Sequence, residues 1–294
     1  MIRVLSAGLM TTVQDLGRPG FSHLGVSAAG AADPVSVRIA NRLVGNLESA
    51  PVLEMTLKGG RFSFDEGAVV SVCGGDFECS ISMGRAVCVA GGDVVEVGGC
   101  RVGARCYLAV RGGVAAKYDL GSASTHSLGG FGRVLQRGDI FGVGLQAVGE
   151  VSTRVVTETR LQDRVRVTAG SETGEFCGFS MMTLLSEVWQ VSEHSNRQGV
   201  RLIGRGIHSA AGGVMESEGV ALGAIQVPPG GQPVVLFVDS QTTGGYPVIA
   251  NVASVDMGVV GQLRPGARFR FQGVAFEEAH RLLMQQEEWI RGCV

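Results

Sequence analysis

The chain is written in apolar runs of a few residues, broken by polar, glycine-rich punctuation. Val69–Cys73, Val87–Ala90, Val94–Val97, Cys106–Val110, Val165–Thr168, Pro233–Val238 and Val248–Ala253 have strand length and β-branched content, and each is too short for a buried helix. Three stretches share one theme. Gly91–Val97, Arg137–Val143 and Arg264–Phe271 each place glycine, with Asp or Ala beside it, ahead of apolar residues. A theme present in both halves suggests a duplicated β architecture.

Helical periodicity is confined to three segments. The first, 33–44, opens with Asp33 as N-cap and Pro34 at the first helical position. It carries Val37, Ile39, Ala40, Leu43 and Val44 towards one face and stops at Gly45. Residues 180–185 and 276–289 read as two more helices, the last with Glu277, Glu278, Glu287 and Glu288 on a solvated face. The stretch from Glu150 to Asp163 is polar and free of glycine, and a fresh strand follows it. The pattern therefore predicts an all-β chain with a few short helices, in two domains, 1–160 and 161–294.

Composition narrows the function classes. The 46 glycines and only 6% aromatic residues fit many tight turns between short strands. A formal net charge of −2 without a basic cluster argues against nucleic acid as the main partner. No run approaches the roughly 18 apolar residues of a membrane helix, so no membrane partner is expected. The first residues, Met1-Ile-Arg-Val-Leu-Ser, lack the pattern of a signal peptide. Seven cysteines, an odd number with no C-x-x-C pair, suggest neither a disulfide framework nor a metal site, and the five between positions 73 and 106 lie in strand-like runs where a free cysteine behaves as a small hydrophobe. A cytoplasmic location is expected. No His/Cys/Asp/Glu grouping has metal-ligand spacing, so no metal site is expected.

Chemistry is concentrated in five polar clusters. The most polar is Asp239–Pro247, between two strand-like runs: a carboxylate, an amide, hydroxyls, a tyrosine and Gly244-Gly245 exceed the needs of a turn. Paired glycines let backbone approach a ligand, and the hydroxyls and amide supply donors and acceptors. The second cluster holds Gln14, Asp15 and Arg18 in a loop near the start of the chain. The third, Gly121–His126, includes Ser124 and Thr125 and could form an anion-holding nest, although no Gly-Lys-Ser/Thr follows to make a P-loop. The fourth, Ser192–Gly199, contains Asn196 and Arg197, whose planar cation suits a carboxylate or phosphate. A nucleophilic triad from Ser195, His194 and Asp239 has no G-x-S-x-G elbow behind it. The fifth places Gln226 between apolar residues just before Pro228-Pro229-Gly230, where a buried amide needs partners.

In this order the clusters resemble the KipA family, also known as the allophanate hydrolase subunit 2 family, the biotin-dependent carboxyltransferase family, or the C subunit of bacterial 5-oxoprolinase. The matching stretches are Leu9–Gly20, Gly30–Asn46, Tyr107–Gly113, Gly121–Thr125, Ser195–Leu202, Gly223–Pro228 and Gln241–Pro247. The resemblance implies two tandem cyclophilin-like β-barrel domains and an enzyme that works through partners. With a KipI-like B subunit and a LamB/YcsF-like A subunit, such a chain would open 5-oxoproline to glutamate at the expense of ATP. The substrate is then a small amide or ureido molecule. ATP is implied for the complex, not necessarily for this chain, which would be inactive alone. Two alternatives stand beside this hydrolase. One is a regulator that binds and antagonises a KipI-type kinase inhibitor; the other is a carboxyltransferase component of the urea carboxylase type. Carried over by motif, the catalytic candidates are Asn196, Arg197, Asp239, Gln241, Thr242 and Thr243. The substrate-binding candidates are Ser124, Thr125, Gln226, Tyr246, Gln14, Asp15 and Arg18. Four positions depart from the family pattern: Ala123, Ser240 and Val248 stand where it has cations, and Gln198 where it has Met. A lost cation removes charge-assisted hydrogen bonds of about 1.5–3 kcal/mol each, so a shifted substrate, or binding without turnover, is expected of this member.

Overall fold

The computed structural model describes residues 1–157, 163–210 and 212–293. The boundary expected near residue 160 lies outside the described residues. Contacts divide the chain into two units: Met1–Arg18, Ala29–Leu161 and Glu288–Val294 form one, Pro19–Ala28 and Gln162–Glu287 the other.

The first unit contains β1 (Ile2–Ser6), β2 (Met10–Gln14), α1 (Pro34–Leu43), β3 (Val52–Thr56), β4 (Arg61–Phe64), β5 (Ala68–Cys79), β6 (Ala86–Val89), β7 (Val94–Val110) and β8 (Ile140–Phe141). They make one sheet in the order β2-β3-β7-β4-β1-β8, with β5 paired to β7 and β6 to β5. Strand β7 is the spine. The runs Val94–Val97 and Cys106–Val110, expected as separate strands, are its two ends. The glycines between them do not turn the chain back; they carry it through a bend. Its register with β5 shifts three times between Gly74 and Cys79. At Gly74, with φ +118°, a Cβ would lie 2.6 Å from the Arg105 carbonyl oxygen, so only glycine fits this bulge. By bending, β7 pairs with β4 through Val94–Glu96 and with β3 through Arg105–Leu108.

Alternation along β7 builds two apolar layers. Cys106, Leu108 and Val110 join Ile2, Phe62 and Val72 in one core, while Tyr107 and Ala109 face the layer containing Val37, Ile39 and Leu43 of α1. Helix α1 starts as the sequence predicts: Asp33 accepts the Ser36 amide at 3.2 Å and the Ser36 hydroxyl at 2.7 Å, and Gly45 adopts φ +73° just beyond its end.

The second unit contains β9 (Arg164–Ala169), α2 (Gly178–Ser186), β10 (Trp189–Val191), β11 (Gly199–Ile203), β12 (Glu218–Gly219), β13 (Ala224–Gln226), β14 (Val234–Leu236), β15 (Thr243–Gly244), β16 (Val248–Val252), α3 (Met257–Gln262), β17 (Arg268–Gly273) and α4 (Phe276–Cys293) as far as Glu287. Seven strands close a barrel in the order β10-β11-β14-β13-β16-β9-β17, and β12 with β15 forms a separate ribbon. β17 runs parallel to β9, the other neighbours antiparallel. Trp189 is fully buried and donates its indole N–H to the Leu184 carbonyl at 2.9 Å, tying β10 to α2. The described residues are thus mostly β, as the patterning predicts, with four α-helices, of which α3 was not among the three predicted segments. Among the described residues no helix is long and apolar enough to cross a membrane.

The cap gives a direct test. Asp33→Ala should lower stability by about 1 kcal/mol, and Asp33→Asn by less, read as a shift in the urea unfolding midpoint at unchanged m-value.

Candidate functional site

In the second unit the polar loop leaves β14 at Leu236 and reaches β16 at Val248. Its first half is zipped to the turn before β11. Phe237 N–H donates to the Gln198 carbonyl at 2.9 Å and Asp239 N–H to the Arg197 carbonyl at 2.8 Å. That turn is held by the exposed Asn196, whose Oδ1 accepts the Gln198 amide at 2.8 Å and the Gly199 amide at 3.3 Å. On this frame Arg197 meets Asp239 through two bonds, Nε to Oδ2 at 2.8 Å and Nη2 to Oδ1 at 3.1 Å. Both side chains are only about a tenth exposed, 11% and 10%, so the pair is a nearly dry bidentate clamp. It leaves the triad reading without its third member: Asp239 orients Arg197, and Ser195 Oγ accepts the Arg201 amide at 3.0 Å.

The second half of the loop is shaped by its glycines. Gln226, 2% exposed at the end of β13, donates Nε2 to the Tyr246 carbonyl at 3.1 Å. A Cβ on Gly244 would lie 2.4 Å from Gln226 Nε2 and 3.1 Å from Gln241 Nε2, so two carboxamides converge on a residue that must lack a side chain. Thr243 and Gly244 pair with Gly219 and Glu218 in the β12–β15 ribbon. Gln241, Thr243 and Tyr246 are exposed and Thr242 is half-buried. The structure thus brings Asn196, Arg197 and Asp239 together, and Gln226, Gln241 and Tyr246 around Gly244. This part of the barrel offers amide and hydroxyl donors at its surface over a fixed ionic base.

Two residues escaped the sequence reading. Glu172 donates its N–H to the Val248 carbonyl at 3.2 Å and accepts the Val248 N–H on Oε2 at 2.8 Å. The negative charge of Glu172, with a smaller part from burial, raises the Glu218 pKa above the usual carboxylate range. No spacing signal links the two glutamates; only the pairing of β12 with β15 brings them to one place.

The first unit gathers its own candidates. Asp15 accepts the Ser122 hydroxyl on Oδ1 at 2.5 Å, the Ser124 hydroxyl on the same oxygen, the Ala123 amide on Oδ2 at 2.7 Å and the Gly17 amide at 2.8 Å. Gln14 donates to the Thr125 carbonyl at 3.2 Å. Arg18 donates to the carbonyls of Asp119 and Ser124 and lies 4.6 Å over the Phe131 ring. Gln14, Asp15, Arg18, Ser124 and Thr125 are all 4% exposed or less. Their hydrogen bonds hold two loops to each other, and Gln14 Oε1 is buried without a hydrogen-bond partner among the described residues. A cavity of about 320 Å³ beside the β5 bulge, lined by Cys73, Gly74, Asp76, Met83 and Val156 among others, contains none of the candidates.

Where the sequence departs from the expected cations, the replacements are integrated locally. Ala123 and Ser240 are fixed through their backbone amides, and Val248 is 3% exposed in an apolar cluster with Ala224 and Leu236. Among the described residues no group of three or more His, Cys, Asp or Glu side chains could hold a metal ion, and all seven cysteines are free.

A family model described as "Carboxyltransferase domain, subdomain A and B" matches residues 24–273. The chain is 35% identical to the C subunit of 5-oxoprolinase from Escherichia coli strain K12, over 98% of this chain and 96% of that protein. It is 33% identical to urea amidolyase of Lachancea kluyveri, over 97% of this chain but only 17% of that protein. Among solved structures, the K. lactis urea amidolyase superimposes with a TM-score of 0.92 at 31% identity, over 100% of this chain and 20% of that one.

The clamp predicts a contrast in stability. Arg197→Ala strands a nearly buried carboxylate and should cost about 3 kcal/mol. Gln241→Ala, at an exposed position, should stay within about 0.5 kcal/mol. Chemical denaturation of the two variants measures the difference.

Proposed function

The chain belongs to the family of carboxyltransferase domains, subdomains A and B, and from that premise we propose that it acts as the C subunit of an ATP-dependent 5-oxoprolinase. The observation that carries this reading is the match to a 5-oxoprolinase C subunit over nearly the whole of both chains. In this reading it works in the cytoplasm with a KipI-like B subunit and a LamB/YcsF-like A subunit, and is inactive without them. ATP belongs to the assembled complex.

The loop geometry supports the chemistry. Attack on a lactam carbonyl drives negative charge onto its oxygen, and prealigned donors stabilise that charge best. The carboxamides of Gln226 and Gln241 converge on Gly244, and the exposed hydroxyls of Thr243 and Tyr246 lie in the same loop. Thr242 and Asn196 complete the polar lining. Arg197 and Asp239, bound to each other through two hydrogen bonds, act by fixing the loop at its origin. Asp15, Gln14, Arg18, Ser124 and Thr125 act one step further back, by fixing loops of the first unit.

Carboxyl transfer to a urea-like acceptor is the second reading, favoured by the close superposition on urea amidolyase. A ureido group has the same planar N–C=O outline as a lactam. The chain has no Met-Lys-Met biotinylation sequence, so the carboxyl carrier would sit on a partner.

Co-expression with the partner subunits decides between them. 5-Oxoproline-dependent phosphate release should require this chain, and Gln241→Ala, at an exposed position of the loop, should lower it about 10²–10³-fold. Equal release with and without the chain would remove the hydrolase reading. Biotin-dependent carboxylation of urea in its place would establish the second.

A further inference from the structure

Helix α2 is turned against the usual pattern. Its sequence, Gly-Phe-Ser-Met-Met-Thr-Leu-Leu-Ser, has no charged residue. A surface helix normally sets its apolar stripe on the core and its polar side in water. Here Ser180 and Thr183 are buried beside Leu184. The Ser180 hydroxyl donates to the His208 carbonyl at 3.0 Å and the Thr183 hydroxyl to the Phe179 carbonyl at 2.8 Å. Phe179, Met182 and Leu185, at the three-residue spacing of one helical face, are 51%, 59% and 37% exposed.

The strands beside the helix add cations and no anions. The Arg205 guanidinium lies 4.7 Å over the Phe179 ring, and Arg270 of β17 donates to the Ser186 carbonyl at the other end of α2. Along β11 and β17 the exposed Arg201, Ile203 and Arg268 alternate with the buried Val200, Leu202 and Phe269. Gln190 of β10 pairs with both Ile203 and Arg268, so these residues share the outer side of the barrel. Helix α2 and strands β10, β11 and β17 contain no Asp, Glu or Lys. The carboxylates that flank the helix in sequence are Glu175 and Glu187. Among the described residues, Arg201, Arg205, Arg268 and Arg270 form no salt bridge.

We infer that this face, α2 with the outer side of β10, β11 and β17, docks another protein subunit through an apolar segment bordered by Asp and Glu carboxylates. Phe, Met and Arg are the residues that concentrate at the centre of protein interfaces, where Lys, Asp and Glu are depleted. A contiguous apolar face rimmed by polar groups marks such a surface. Charge decides what covers it. The planar guanidinium matches a carboxylate through two parallel bonds, whereas a second copy of the same face would set arginine against arginine. Ile203 and Arg205 stand at the opposite end of β11 from the Arg197–Asp239 clamp, so substitutions here leave the frame of the polar loop untouched. That the docked subunit belongs to the 5-oxoprolinase complex rests on the function proposed above; the face and its chemistry do not.

Association of the full chain with purified KipI-like B and LamB/YcsF-like A subunits tests the face. Amides of α2 should exchange more slowly in the complex than in the chain alone. Met182→Glu puts a charge at the centre of the face and should weaken association about 30-fold or more. Arg205→Glu should weaken it about tenfold and flatten its dependence on salt. Both positions are exposed, so the urea unfolding midpoint should hold in each variant, which separates lost docking from lost fold. Wild-type affinity in both variants overturns the proposal. So does a wild-type chain that binds neither subunit, whether it pairs with itself or adheres to phosphatidylglycerol vesicles instead. Docking that depends on Met182 and Arg205, in a complex that releases no phosphate with 5-oxoproline, would fault the functional reading alone.

Discussion

A chain with 46 glycines in 294 residues has loops that glycine alone would leave loose, and they are pinned by carboxylates and amides that accept main-chain N–H groups. Asp15 takes the amides of Gly17 and Ala123, Glu54 that of Ala32 at 2.8 Å, and Asp256 that of Arg166 at 2.6 Å. Asn46 takes Gly112 at 2.7 Å, and Asn196 takes Gln198 and Gly199. Where the donor is buried, as at Ala32, Gly112 and Ala123, the bond satisfies an N–H that would otherwise be orphaned. The candidate site depends on this: Gln226 and Gln241 can converge on Gly244 only because both ends of the loop are held.

Strand positions, the Asp33-capped helix and the polar Asp239–Pro247 loop were all legible, because each is a local event governed by period, cap or turn chemistry. What was not legible is non-local. Gly98, Gly99 and Gly103 read as turn residues, yet β7 runs through them, because its partners β3, β4 and β5 supply hydrogen bonds along its length. Tertiary pairing overrides the local signal there. Glu172 and Glu218 were invisible for the same reason. The motif residues were found but not their burial: Asp15 and Arg18 look like surface chemistry in sequence and are interior braces in the fold.

The residues that identify the family therefore divide into two physical kinds. Arg197, Asp239, Asp15 and Arg18 are spent on other protein groups, and their worth lies in the unpaired partner each would leave behind. Gln241, Thr243 and Tyr246 are exposed and hold few internal bonds. Recognition by motif weighs both kinds alike, but only the second can meet a ligand directly. The absent cations at Ala123, Ser240 and Val248 fall among braces and apolar packing, so their loss leaves the frame intact.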